Sequence, residues 1–255
     1  MTPGTFDLSL QGRVALVTGA ATGIGRAIAL AFAQAGACVA INHLGQADEA
    51  ASTVQSIEEL GGRAKAVDAD VTQASQIAVM VAVVQQTFGP IDLLVNNAGV
   101  IQEKPFLDMT DPEWDRMLAV DLKSVFLVSR AVLPGMLAQG RGVVINIASD
   151  LGRLGRENFA AYCAAKAGVI GLTRAMAREF APVVRVNAIA PGPINTTMVA
   201  LSAMSPEAIA KELEIPQRRI AEPEEIAATA LFLASDLSGF YCGQVLGTNG
   251  GSVMP

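Results

Sequence analysis

Apolar positions along the chain fall into two alternating patterns. Short, β-rich apolar runs read as strands: "RVALVTG" (13–19), "CVAIN" (38–42), "RAKAVDADV" (63–71), "IDLLVNNAG" (91–99), "GVVINIAS" (142–149), "VRVNAIAPG" (184–192) and "QVLGTNGG" (244–251). Between them, stretches with apolar residues three and four apart read as helices. These cover 25–36, 47–62, 75–89, a long helix starting near Pro112 with Pro134 near its end, one that carries Tyr162, and 222–236 with a proline at its start. Seven strands alternating with helices predict parallel βαβ units with right-handed crossovers. The strands are nearly continuous in apolar character, as expected when helices cover both sheet faces. No low-complexity linker and no internal repeat divides the chain. The pattern therefore predicts an α/β fold in one domain spanning 1–255, a doubly wound parallel seven-stranded sheet. A (β/α)₈ barrel is the rival for a chain of this length.

Composition narrows the partners. Of 255 residues, 51% are hydrophobic and 16% charged, which suits a compact protein rather than a disordered one. The net charge of −6 repels polyphosphate backbones and no dense Lys/Arg run offsets it, so no nucleic-acid partner is expected. Residues 1–13 lack a basic segment followed by an apolar stretch. The longest apolar runs break well before the ~20 residues of a membrane helix. No membrane association and a cytoplasmic location are expected. Cys38, Cys163 and Cys242 are scattered and odd in number, which fits a reducing compartment. One histidine and no clustered cysteines predict no metal site.

The first strand runs into "VTGAATGIGRA", with Gly19, Gly23 and Gly25 at the strand-to-helix turn. Backbone without Cβ can approach a pyrophosphate closely, and a helix N-terminus offers free N–H groups and a positive dipole end. In this context the turn points to a dinucleotide and to a Rossmann-like sheet, against the barrel. A tight turn without ligand is the alternative. The end of the second strand should select the cofactor. It holds Asn42, His43 and Leu44, with neither a carboxylate for a ribose 2′-hydroxyl nor a cation for a 2′-phosphate. Thr22 is uncharged too, so NAD and NADP both remain open.

Tyr162 and Lys166 are four apart on a predicted helix and share a face. A nearby ammonium favours the phenolate and lowers a phenol's pKa from about 10. Such a tyrosine can exchange a proton with an alcohol or carbonyl oxygen near neutral pH. Ser149 closes a strand at the carboxyl edge, where ligands bind in open α/β sheets, and its hydroxyl can orient the same oxygen. The alternative is an amphipathic helix with a surface lysine and a packed tyrosine.

With these pieces in order, the chain resembles a short-chain dehydrogenase/reductase of the ~250-residue type. The matching stretches are "TGAATGIG" (18–25), "DADV" (68–71), "NNAG" (96–99), Ser149, "YCAAK" (162–166), "RVNAIAPGPINT" (185–196) and "TNGG" (248–251). The resemblance covers Gly12 to Gly251 and includes 3-oxoacyl-carrier-protein reductases and sugar dehydrogenases. It implies hydride transfer between NAD or NADP and a secondary alcohol or ketone. It implies that Thr18, Gly19, Gly23, Ile24 and Gly25 hold the dinucleotide phosphates. By the same resemblance Asp70 and Val71 meet the adenine, and Asn97, Ala98 and Gly99 line the adenosine ribose. Tyr162 is then the general acid/base, Lys166 also bonds the nicotinamide ribose, and Ser149 fixes the substrate oxygen. Pro191, Gly192, Ile194 and Thr196 cover the nicotinamide. Asn42 and His43 remain cofactor candidates at the end of the second strand, where the ribose that distinguishes NAD from NADP is expected.

One position departs. Relatives usually carry an asparagine where this chain has Asp121, which helps hold a water linking the lysine to solvent. An aspartate adds a charge that stabilises Lys166 as a cation, so an altered pH dependence is expected. For the substrate, the segments 150–159 and about 193–215, a predicted helical lid, should face it. Asp150, Arg153, Arg156, Glu157 and Asn158 make the first segment polar. Asp150, Arg153 and Asn158 are the candidate substrate contacts, which suits a sugar or polyol. Reduction of a 3-oxoacyl group on a carrier protein is the alternative, with Arg141 and Arg178 available to an acidic carrier. A non-catalytic dinucleotide-binding regulator is the alternative of another class. Small residues at Ala161, Ala165 and Gly168, followed by Leu172, allow close helix packing within or between subunits. The resemblance favours a homotetramer built on that helix and the one around 113–137.

Overall fold

The computed structural model describes residues 7–197 and 205–254. Within them seven parallel strands form one sheet, in the order β3-β2-β1-β4-β5-β6-β7. The strands are β1 (Val14–Val17), β2 (Cys38–His43), β3 (Arg63–Asp68), β4 (Leu93–Asn96), β5 (Gly142–Ile147), β6 (Val184–Ile189) and β7 (Val245–Leu246). Central strands β1, β4 and β5 are buried along their whole length, whereas edge strand β3 alternates exposed and half-buried. Both outcomes follow from position: a strand covered on both faces is apolar throughout, and an edge strand is not.

Helices cover both faces. On one face α1 (Gly23–Gln34) and α9 (Pro223–Ala234) pack around Phe32, Ile28, Leu233 and the inward side chains of β1, β2 and β4. On the other, α3 (Ala74–Phe88), α5 (Ser124–Gln139) and α7 (Ala160–Phe180) pack around Met80, Val128, Met136 and Met176. The remaining helices are α2 (Ala47–Glu59), α4 (Asp111–Leu118), α6 (Leu151–Leu154) and α8 (Pro206–Glu212). Among the described residues no helix is long and apolar enough to cross a membrane.

The predicted elements appear with one instructive change. The helix expected from about Pro112 is interrupted by a π turn at Ala119–Lys123, between α4 and α5. A π turn accommodates an extra residue and occurs often at functional sites. Pro134 does not end the helix, which continues to Gln139 and stops at Gly140 with φ 71°. The predicted lid at 193–215 is described in part: residues 198–204 lie outside the described residues, and α8 follows them. The N-terminal stretch 1–6 also lies outside.

Candidate active site

Sheet order reverses between β1 and β4, so their carboxyl ends open a crevice, the position where such sheets bind ligands. The turn after β1 sits there. Gly19 and Gly23 have φ of 59° and 56°, left-handed conformations that favour glycine. A Cβ on Gly19 would stand 2.9 Å from Ala98 Cα, and one on Gly25 would lie 2.5 Å from Asn97 Nδ2. The end of β4 holds the turn in place. Thr18 Oγ1 accepts the N–H groups of Asn97 (2.9 Å) and Ala98 (3.0 Å). Asn97 Nδ2 donates to the carbonyls of Thr18 (2.9 Å) and Gly19 (3.0 Å). Turn carbonyls thus point to Asn97, and the start of α1 faces the crevice with its free N–H groups. A glycine turn packed this closely on the end of β4, at the N-terminus of α1, fits the diphosphate of a dinucleotide.

Other predicted cofactor residues gather at this edge. The Thr196 methyl group lies over Gly23, within 3.3 Å of a Cβ built there. Gly192 packs on Asn249, and its N–H donates to Thr248 O (3.1 Å). The Ile194 side chain is buried in the core beside α1 and α9, which leaves its backbone to any ligand. Pro191 O accepts the Asp150 N–H (3.0 Å). Asp70 Oδ1 is held by the Thr72 N–H and hydroxyl (2.8 and 2.7 Å), with Oδ2 left over, and Val71 beside it is buried. Asn42 is 1% exposed; its Nδ2 donates to Ala69 O (2.9 Å) and its Oδ1 accepts the Gly19 N–H (3.3 Å). Its side chain therefore joins the glycine turn to the ends of β2 and β3.

The reacting-group candidates come from three elements. Ser149 follows β5, Tyr162 and Lys166 lie on α7, and Asp121 lies in the π turn. Lys166 Nζ is buried and stands 5.5 Å from the centre of the Tyr162 ring. It donates to Ile147 O (3.2 Å) and pairs with Asp121 Oδ2 (3.1 Å). Asp121 is fully buried, and its Oδ1 accepts the Val100 N–H (2.9 Å). A Cβ on Gly99 would lie 3.0 Å from Asp121 Oδ2 and 3.4 Å from Lys166 Nζ, so Gly99 leaves room for this pair.

The electrostatics differ from the sequence expectation. Burial pushes the Tyr162 phenol above its ordinary value, although the side chain keeps some exposure. The Lys166 charge and the Ser149 hydrogen bond work against that rise, and the charges of Asp121 and Asp150 add to it. The neighbouring ammonium is present as expected, but desolvation outweighs it in the protein alone. Burial also disfavours the Lys166 ammonium, yet the Asp121 carboxylate and Tyr162 together hold it above the ordinary lysine value. Asp121 itself is raised by burial, with Lys166 opposing.

The polar segment after Ser149 begins turned inward and ends at the surface. Asp150 is buried; its Oδ1 accepts from Ser149 Oγ (3.2 Å) and its Oδ2 from Ser252 Oγ (2.6 Å). Burial raises its carboxyl, with the Ser252 and Ser149 hydrogen bonds opposing. Arg153 Nη2 donates to Val245 O (2.9 Å). Asn158 sits in the left-handed region at φ 65°, its carbonyl accepting the Lys104 N–H (2.8 Å). Arg156 pairs with Glu212 and Glu157 with Lys211 (2.7 Å), which ties α8 to this segment. Ser252, Lys211 and Glu212 carry no local motif, so the sequence reading missed them. Arg141 and Arg178 lie far from the site. The first precedes β5 at the sheet's amino edge and pairs with Asp92, and the second lies in the last turn of α7.

A dinucleotide cradle, a tyrosine–lysine pair and a serine at one sheet edge define a nicotinamide-dependent oxidoreductase acting between CH–OH and C=O. Comparison with known proteins agrees. Residues 19–252 match the family model described as enoyl-(acyl carrier protein) reductase. The chain is 42% identical to the 3-oxoacyl-[acyl-carrier-protein] reductase FabG of Staphylococcus epidermidis, across 94% of this chain and 98% of that one. A candidate NAD(P)-dependent gluconate 5-dehydrogenase from Beutenbergia cavernae, solved with NADP at low occupancy, matches with TM-score 0.90 and 40% identity over 96% and 98% of the two chains. A 7α-hydroxysteroid dehydrogenase solved with NADH and 7-oxo glycochenodeoxycholic acid matches with TM-score 0.92 and 37% identity over 98% and 97%. The chain belongs to the short-chain dehydrogenase/reductase family.

Proposed function

We propose that this enzyme reduces a 3-oxoacyl thioester to the 3-hydroxy form, with Tyr162 as proton donor. The observation that carries its chemistry is the convergence of Ser149, Tyr162 and Lys166 on the edge that also holds the glycine turn. When bound, the nicotinamide supplies the hydride for the carbonyl carbon. Ser149 holds the carbonyl oxygen, and Tyr162 delivers the proton that this oxygen gains as it becomes an alcohol. In the reverse direction Tyr162 takes that proton back. Lys166 steadies the phenolate left behind and bonds the nicotinamide ribose with the hydrogen not used by Ile147 or Asp121. Thr18, Gly19, Gly23, Ile24 and Gly25 hold the phosphates. Asp70 and Val71 receive the adenine, Asn97 to Gly99 line the ribose, and Pro191 to Thr196 cover the nicotinamide. The described parts of the expected lid, residues 193–197 and α8, flank the substrate.

Two observations favour the thioester over a sugar. The relative at 42% identity over nearly its whole length is a 3-oxoacyl-carrier-protein reductase by name. Of the charges that suggested a sugar-binding rim, Arg156 and Glu157 form ion pairs with α8 and Asp150 accepts from Ser252, while Arg153 Nη2 donates to Val245 O and its Nη1 is left without a partner. The likeness to a candidate gluconate 5-dehydrogenase supports the second reading, a hydroxylated acid or polyol. Assays of acetoacetyl thioesters against gluconate and a polyol panel, with both cofactors, separate the two. A kcat/KM for the thioester about tenfold or more above the best sugar substrate is the expected result. The opposite order selects the second reading, and no turnover on any substrate selects a non-catalytic dinucleotide-binding protein.

We also propose a homotetramer. Ala161 and Ala165 are buried and Gly168 packs on Leu122, so those small residues serve packing within the chain. The outward face of α7 is a different stripe, Ala164, Ala167 and Gly171, and on α5 Phe126 remains 46% exposed. These faces suit helix pairing between subunits, which sedimentation of the purified protein tests.

A further inference from the structure

The end of β2 carries no acidic residue, yet the structure brings a carboxylate to it from the neighbouring strand. β2 and β3 run parallel in a register that places His43 beside Asp68. Asp68 Oδ1 accepts the Gly45 N–H (3.3 Å), from the loop just after β2, and lies 4.0 Å from His43 Nδ1. The carboxylate is 59% exposed, while the His43 ring is 6% exposed and its Nδ1 is buried without a hydrogen-bond partner. Asn42 ties this strand end to Gly19 of the phosphate turn, so the site adjoins the cradle. On α1, Arg26 Nη2 donates to Ser56 on α2 (3.2 Å).

We propose that Asp68 is the cofactor-selecting residue of this enzyme, and that it favours NAD over NADP. The inference rests on the reading that the glycine turn binds a nicotinamide dinucleotide. In that geometry the adenosine ribose reaches the end of β2, where a carboxylate accepts from a 2′-hydroxyl and repels a 2′-phosphate. Asp68 supplies this group from one strand further out. It acts as acceptor and as negative charge, and the Gly45 N–H holds it at the loop. A phosphate placed there would meet a like charge.

The test needs no substrate. NADH and NADPH are titrated into the full-length protein and binding is read by nicotinamide fluorescence. NADH should bind about tenfold or more tightly than NADPH, which corresponds to about 1.4 kcal/mol. Asp68→Asn keeps an acceptor for the Gly45 N–H but removes the charge. It should tighten NADPH about fivefold while leaving NADH within about twofold, and Asp68→Lys should go further in the same direction. Equal or tighter NADPH binding by the unmodified protein overturns the proposal, as does a ratio that neither variant moves. Failure of both nucleotides to bind overturns the dinucleotide reading and this inference with it. Binding of both at similar strength overturns the inference alone.

Discussion

The phosphate turn and the substrate rim lie at the same sheet edge but are held by different kinds of contact. The turn is fixed by backbone geometry and by three side chains that bond only to backbone groups, Thr18, Asn42 and Asn97. Gly19 and Gly25 leave no room for a Cβ. The rim is held by side chains that meet across more than fifty residues of sequence, such as Arg156 with Glu212 and Glu157 with Lys211. Partly exposed ion pairs of that kind contribute about 0–1 kcal/mol each. A rigid cradle beside a weakly clasped rim suits an enzyme that keeps one cofactor geometry and admits substrate by local movement.

The sharpest test lies between the two regions. Tyr162→Phe removes the proton donor while keeping the ring beside Lys166. Turnover should fall by about 10³-fold or more, within the range for loss of a general acid. Binding of NADH should stay within about twofold, because the phosphate turn does not use the hydroxyl. Turnover near that of the unmodified enzyme removes Tyr162 from its role.

Next in size is a direct attack on the cradle. Gly25→Ala places a methyl group against Asn97 Nδ2 and the Gly19 carbonyl, neither of which can retreat without releasing the turn. Overpacking of this kind costs about 1–3 kcal/mol. The melting temperature should drop and NADH affinity should fall about tenfold or more. If thermal unfolding and NADH titration are both unchanged, the cradle is looser than its contacts indicate.

These contrasts also explain what could be read from the chain alone. The seven strands, the glycine turn and the Ser149, Tyr162, Lys166 set follow from short-range spacing, since a strand end, a turn and an i, i+4 pair are local features. The destination of side chains across the fold is not local. Nothing in "ASDLGRLGREN" says that Asp150 turns inward to Ser252, or that Arg156 and Glu157 meet α8. The π turn that carries Asp121 to Lys166 was hidden because its residues continue a helical pattern. The expected fall in the Tyr162 pKa failed for a similar reason: the ammonium was visible in the spacing, but the burial that outweighs it is a property of the packed site. Asp68 belongs to β3, so nothing local marks it as a neighbour of the β2 end, and only the β2–β3 register places it there.

Asp121 offers the third test. Burial works against the Lys166 ammonium, and the Asp121 carboxylate is the main group that holds it. Asp121→Asn removes that charge but keeps the shape, so Lys166 should lose its proton at lower pH. If the ammonium is needed to steady the phenolate, the alkaline limb of the pH–rate profile moves to lower pH. NADH binding below that limb stays unchanged. A superimposable profile shows that the charge on Asp121 has no part in the reaction.

The smallest effect belongs to the rim. Glu212→Gln weakens the Arg156 contact that joins α8 to the segment after Ser149. The loss should not exceed about 1 kcal/mol, so the melting temperature barely moves. A looser clasp changes how often the rim is closed, and the expected signature is a rise of about two- to fivefold in substrate KM with NADH affinity intact. Because the same change leaves the cradle untouched, it separates the two regions in one variant. A shift in NADH affinity as large as that in KM means that rim and cradle move as one body, and the contrast between them then fails.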